Sequence, residues 1–305
     1  MTRLITGLRH VGIAVENFDQ AKEFYEKSWG LTCAETDSGV AFFSAEGSPE
    51  NYVLRLRQGE KRMDLLAFAV ASAADVDTLA AQLATSGIQL VSEPGTLDTP
   101  GGGYGFRFFD VDGRIVEVSA DVAPRPYRAL EEREWIPEKL SHVVLNSTDV
   151  AKTKAFYESF LGFRLSDWIG DVMCFLRTNE FHHTIAIARG PHASLNHVAF
   201  NLRGIDEYMR ATGRLLRAGG ELLCGPGRHM PGDNTFSYFM DPSRNVVEYT
   251  TQLELVEDED TWQVRRFKRS DPESRDQWGT SGSPERLYPA MMNDLDTGLW
   301  TPCPL

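Results

Sequence analysis

The chain has 305 residues, 42% of them hydrophobic, and a formal net charge of −13. That length buries a sizeable core and fits two domains better than one, while the acidic balance and the lack of a basic cluster argue against nucleic acid or an anionic membrane as partner. No stretch approaches the roughly 18 to 20 apolar residues of a membrane span, and "MTRLITGLRHVGIAVE" lacks the core and cleavage site of a signal peptide. The four cysteines, Cys33, Cys174, Cys224 and Cys303, form no CxxC pair, so a cytoplasmic protein with reduced thiols is expected.

In chain order, the first recognisable segment is "LRHVGIAVENFDQAKEFYEKSWGL" from Leu8, followed by the apolar run "MDLLAFAV" and by "FFDVDGRIVEVS". These fall in a first module, residues 1–130. "EEREWIPEKL", around residues 131 to 140, reads as a linker. At Leu140 the chain starts again: "LSHVVLNSTDVAKTKAFYESFLGF" aligns with the Leu8 segment without a gap at an offset of 132. Leu8, His10, Phe24, Tyr25 and Gly30 match Leu140, His142, Phe156, Tyr157 and Gly162. Further on, "FMDPSRNVVEYT" answers "FFDVDGRIVEVS" at an offset of 131, pairing Asp110 with Asp241 and Glu117 with Glu248. A slip of one residue over a whole module means tandem duplication.

The second module, residues 137–252, is the clearer copy. A β-branched run from His142 to Leu145 leads to a helix cap at Ser147 or Thr148, then to a helix with Val150, Tyr157, Phe160 and Leu161 on one face, closed by Gly162. The short runs "DVMCFLR", "TIAIA" and "LNHVAFNL" read as strands. A second helix, "IDEYMRATGRLLRAGG", and the strands "TFSYFM" and "NVVEYTT" complete the copy. The expected fold is α+β, built of tandem βαβββ units, two per module and two modules. From residue 253 to 305 the alternation gives way to a tail that contains Trp262, Trp278 and Trp300, and it is expected to pack across the second module as a lid.

Four of the seven histidines, His182, His183, His192 and His197, fall within sixteen positions. Strand alternation puts His197 on the face of Ala199 and Asn201, His142 with Val144, and Glu248 with Val246 and Thr250. Any one of these alone reads as a hydrogen-bonded core residue. Together, on three strands of one module and in apolar sequence where an unpaired polar group is costly, they read as a two-histidine, one-carboxylate facial triad for non-haem Fe(II). Mn(II) suits the same ligand set. In the first module Leu65 stands where the second has His197, so His10 and Glu117 lack a third ligand and read as structural.

The chain resembles the type I extradiol ring-cleaving dioxygenases, the catechol 2,3-dioxygenase group of the vicinal oxygen chelate superfamily, over both modules. "LSHVVL", "FHHTIAIA", "LNHVAF", "GPGRHMPGDNTFSYFMDP" and "NVVEY" carry the likeness. It implies His142, His197 and Glu248 as metal ligands, His183 as the acid-base histidine, His229 as a supporting histidine and Tyr238 as the tyrosine that bonds the substrate oxygen. The implied reaction is meta cleavage of a catechol by O2, giving a product of the muconic semialdehyde type, in a homo-oligomer of four subunits or more. His182, beside His183, is expected at the edge of the pocket or on a subunit surface, and His192 in solvent.

Two rivals use the same units: a glyoxalase-like isomerase or thiol transferase, and a non-enzymatic binding module. Neither needs His183, His229 and Tyr238 together. The motifs are closest to the homoprotocatechuate branch, which has an arginine for the substrate carboxylate where this chain has Cys224. A second such arginine matches Arg275. One clamp in place of two predicts a neutral, alkyl-substituted or trihydroxylated ring over an acetate-bearing one.

Overall fold

The computed structural model describes residues 4–296. The first module runs β1 (Ile5–Val15), α1 (Phe18–Glu23), β2 (Thr32–Asp37), β3 (Val40–Ser44), β4 (Leu54–Gln58), β5 (Arg62–Val70), α2 (Ala73–Thr85), β6 (Leu90–Thr96), β7 (Tyr104–Phe109) and β8 (Ile115–Ala120). The second repeats it as β9 (Lys139–Ser147), α3 (Val150–Leu161), β10 (Arg164–Ile169), β11 (Met173–Arg177), β12 (Ile185–Arg189), β13 (Ser194–Asn201), α4 (Ile205–Arg217), β14 (Glu221–Arg228), β15 (Thr235–Met240) and β16 (Val246–Thr250).

Both sheets have one strand order, β2-β3-β4-β1-β5-β8-β7-β6 and its counterpart β10-β11-β12-β9-β13-β16-β15-β14. In each, two βαβββ units meet through their antiparallel first strands, β1 on β5 and β9 on β13. Every first strand also pairs in parallel with the last strand of its own unit. The expected α+β fold is therefore present. The strands β10 and β14, whose sequences alternate poorly, complete the second module.

The residues that repeat in sequence make the joint between modules. Tyr25 donates its hydroxyl to Asp241 at 2.9 Å, and Tyr157 reciprocates towards Asp110 at 3.1 Å. Trp29 stacks on Tyr249 with ring centroids 3.8 Å apart, and one apolar core runs through both modules. Residues 121–138 between them form neither helix nor strand.

On α3 the buried face is Val150, Thr153, Phe156, Tyr157 and Leu161, with Phe160 only half-buried. Its cap is Asp149, which accepts from the Lys152 amide at 3.0 Å. Ser147, expected as a cap, instead accepts from the Asp149 amide.

The tail wraps the second module. Its strand β17 (Arg265–Phe267) adds in parallel to β10. The helices α5 (Pro272–Arg275) and α6 (Leu287–Met292) follow, and Leu287 and Met291 pack against Cys224, Phe236 and Tyr238. The Trp262 indole donates to the Ser166 carbonyl at 3.0 Å, Trp278 is exposed, and Trp300 lies outside the described residues. No helix among the described residues is long and apolar enough to cross a membrane.

Candidate metal centre and catalytic pocket

Three adjacent central strands set the centre. Ala199 on β13 faces His142 on β9 to one side and Glu248 on β16 to the other, and His197 lies two residues before Ala199 on the same face. The small side chain of Ala199 leaves the space into which the three donors converge. His197 Nε2 is 3.0 Å and His142 Nε2 3.4 Å from Glu248 Oε2, and all three residues are buried. One donor atom from each lies within 4.8 Å of the others.

Among the described residues, His197 Nε2 and both Glu248 carboxylate oxygens lack a hydrogen-bond partner. Three such atoms, buried and aimed at one point, are costly unless a cation holds them, and the donor set suits Fe(II) or Mn(II). Protonation agrees. Burial alone would raise the Glu248 carboxyl, yet His142 and His197 beside it hold it down to about 2, and burial lowers His197 below the ordinary histidine value. Neutral imidazole and ionised carboxylate are the ligating forms.

Outer partners fix these rings. His197 Nδ1 donates to Asn196 Oδ1 at 2.7 Å, which leaves Nε2 as the free donor atom. Asn196 bonds Asn146, and Asn146 donates to the Met291 carbonyl of the tail at 2.7 Å. Ser141 Oγ lies 3.0 Å from His142 Nδ1.

The expected catalytic residues surround the triad. The His183 ring lies 4.2 Å from that of His142, and burial first, with the neighbouring imidazoles, pushes its pKa well below the usual value. Tyr238 on β15 sits directly across from Glu248, and its ring is 5.1 Å from His197. Burial raises its phenol well above the ordinary value, so it stays protonated. It faces His229 Nε2 at 2.9 Å, while His229 Nδ1 donates to the backbone carbonyl of Arg275 at 2.7 Å. That second bond makes Nε2 the acceptor of the tyrosine proton. Burial takes His229 down to about 4.

The sequence of β14 explains how His229 arrives there. "CGPG" bulges the strand between Cys224 and Gly227. Gly225 has φ +114, and a Cβ there would meet the Phe236 carbonyl at 2.7 Å. His229 then stacks on Phe236 at 4.0 Å.

Cys224, opposite Tyr238, is buried and donates its thiol to the Ser281 carbonyl at 3.3 Å. The Arg275 guanidinium reaches the Gly282 carbonyl at 3.4 Å. Two histidines sit differently from expectation. His182 is at neither the pocket edge nor a surface: residues 182–184 are not in a strand, and its fully buried ring lies behind His183. His192 is half-buried and bonds the Asn293 carbonyl of the tail at 3.1 Å. Sequence reasoning missed Asn196, Asn146 and Asp167. Only Asn196 announced itself, as the neighbour of His197 in "LNHVAF".

Among the described residues, the first module has no such centre. Its Glu117 takes two hydrogen bonds from Arg107, at 2.6 and 2.8 Å, and His10 Nε2 stays 3.7 Å away. The cavity beside them is about 10 Å³, room for one water.

The family model for the Glyoxalase/Bleomycin resistance protein/Dioxygenase superfamily matches residues 7–118 and again 139–249. A protein named metapyrocatechase 2, from Cupriavidus necator, is 28% identical over 90% of this chain and 89% of its own. A biphenyl-2,3-diol 1,2-dioxygenase from Paraburkholderia xenovorans is 29% identical over 90% and 95%. A solved structure described as the Mn(II)-bound glyoxalase from Novosphingobium aromaticivorans superposes with a TM-score of 0.93 at 44% identity, covering 97% of each chain.

Proposed function

Because the chain belongs to the Glyoxalase/Bleomycin resistance protein/Dioxygenase superfamily, we infer that its complete centre is that of an extradiol dioxygenase, which opens a catecholic ring beside the diol with O2. The observation that carries this reading is the gathering of His183, His229 and Tyr238 around the triad. A centre that used its metal only as a Lewis acid has no need of them.

His142, His197 and Glu248 would hold Fe(II) or Mn(II), whose contribution is to bring catechol and O2 together and let electrons pass between them. Tyr238, kept protonated by burial, would turn the proton that rests on His229 Nε2 towards the substrate oxygen that has lost its own. His183, neutral and desolvated, takes a proton from the substrate side and returns it to oxygen as the O–O bond breaks. The tail closes the pocket from behind and helps to keep water out.

Oxygen uptake on a panel of catechols, with the ring-opened product followed by mass spectrometry, tests the reading. The second reading, a glyoxalase-like isomerase or thiol transferase, is favoured by the description of the Novosphingobium structure. It requires turnover of a thiol adduct without O2.

The substrate is a neutral, alkyl-substituted or trihydroxylated ring. Supporting this, Cys224 offers a small thiol beside Tyr238, and the biphenyl-2,3-diol relative is named for an uncharged diol. 4-Methylcatechol should exceed homoprotocatechuate in kcat/KM. A tenfold advantage the other way, about 1.4 kcal/mol, would show that Arg275 alone serves as the carboxylate clamp. The protein works as a homo-oligomer of four subunits or more, which light scattering would read. Exposed Tyr127 and Trp135, in and beside the linker, supply apolar surface for such contacts.

A further inference from the structure

A second group of metal-ligand type residues, Asp167, His182 and Glu254, lies one layer behind the pocket. It is already filled by a cation. Arg265, on the tail strand β17, donates its Nη2 to Asp167 Oδ2 at 2.6 Å and its Nη1 to Glu254 at 3.0 Å, and its backbone amide bonds Asp167 Oδ1 at 2.8 Å. The remaining reach of Asp167 goes inward. Its Oδ2 lies 2.8 Å from His182 Nε2, and His182 Nδ1 lies 3.0 Å from His183 Nδ1. Asp167 and His182 are fully buried, and His183 nearly so.

We propose that Asp167 and His182 are positioning residues for His183, joined in a hydrogen-bond chain that starts on Arg265 of the tail and fixes which nitrogen of His183 carries the proton. An ionised carboxylate can only accept, so His182 Nε2 must donate to Asp167. Of the two ring nitrogens that face each other, His182 Nδ1 and His183 Nδ1, one must donate, and with the His182 proton given to Asp167 it is His183 that does so. His183 is therefore held with its proton on Nδ1 and its lone pair on Nε2. This is the form that can first take a proton in the pocket and later return it.

The bonds also fix the ring plane. The His182 carbonyl is tied by the Ser166 hydroxyl, and the rings of His182 and His183 stand nearly perpendicular, at 88°. The pocket thus depends on the tail at a residue that touches neither metal nor substrate. This inference rests on the dioxygenase reading for the role of His183, but not for its tautomer.

The test uses the metal-loaded enzyme. Asp167→Asn offers His182 a donor in place of an acceptor and inverts the chain. It should lower kcat by about 10- to 100-fold, as expected when a general acid-base group is in the wrong form, with metal content unchanged and KM within about threefold. His182→Gln, which retains an acceptor, should keep most of the activity, whereas His182→Leu should lose as much as Asp167→Asn. Neutron diffraction on the wild-type enzyme should place protons on His182 Nε2 and His183 Nδ1.

A proton on His183 Nε2 in the wild type would overturn the proposal, as would equal activity of the Gln and Leu variants or an unimpaired Asp167→Asn. If Asp167→Asn does not fold, the His182 pair and the neutron map still decide. A wild-type enzyme that consumes no O2 with any catechol would instead sink the functional reading and leave the neutron result standing.

Discussion

The two modules place a buried glutamate at the same point of equivalent sheets and treat it in opposite ways. In the second, Glu248 has two histidines beside it, a tyrosine opposite, and oxygens with no hydrogen-bond partner among the described residues. In the first, Glu117 has Arg107 opposite, at the position of Tyr238, and that guanidinium gives both Nε and Nη2 to Glu117 Oε2, leaving only Oε1 without a hydrogen bond among the described residues. Leu65 replaces His197. A buried carboxylate needs a counter-cation. One copy supplies it covalently as arginine, and the other leaves the place for a metal. Duplication thus gave a scaffold and a reactive centre from one design, and the surroundings of the two glutamates differ at Leu65 for His197 and at Arg107 for Tyr238.

The largest effects should come from undoing that difference. His197→Ala should empty the metal site and reduce turnover by more than the roughly 100-fold that a lost acid or base costs, while His10→Ala leaves metal content unchanged. Tyr238→Arg should make the second module imitate the first, its guanidinium pairing with Glu248 and excluding the metal. Metal analysis of the three variants checks both statements. His183→Asn should keep metal and substrate affinity yet slow turnover by about 100-fold, which steady-state kinetics with metal analysis will read. Loss of metal in that variant would make His183 a ligand.

Most of this comparison is legible in the sequence, because the duplication is nearly gapless and strands turn their side chains by a simple alternation. Alternation could orient His142, His197 and Glu248 within their own strands, the resemblance joined them as ligands, and the loss of His197 in the first copy could be seen at Leu65. The role of Arg107 could not. It depends on the register of pairing between β7 and β8, which sets Arg107 opposite Glu117. The His182 environment was hidden for the same reason. Asp167 and Arg265 lie on β10 and β17, 15 residues before and 83 after it, and only the parallel addition of the tail strand brings them together. Alternation also misled at "FHH", where the backbone is irregular and both rings turn inward.

Smaller effects sharpen the account. Arg107→Leu strands a buried carboxylate and should cost the fold about 3–5 kcal/mol in urea denaturation, with little change in the activity of what remains folded. Truncation after Gln252 removes the Arg275 and Met291 carbonyls from the chains to His229 and His197. It should lower activity, or release hydrogen peroxide, more than it lowers metal content.

The pH dependence is weaker still. His229 has a folded pKa of about 4 because it is buried, below its unfolded value. Between about pH 4 and 6.5 the unfolded chain binds the extra proton. Stability should therefore be full above about pH 6.5 and fall as pH drops towards 4, and His229→Asn should flatten that slope in chelator-treated protein.

The central claim is that one copy holds a metal and the other holds an arginine instead. Metal analysis of the purified wild-type protein, reconstituted with excess Fe(II) or Mn(II) and desalted, tests it most directly. One metal per chain, absent from His197→Ala and retained in His10→Ala, is the predicted result. Two metals per chain, or one that survives His197→Ala, would contradict it.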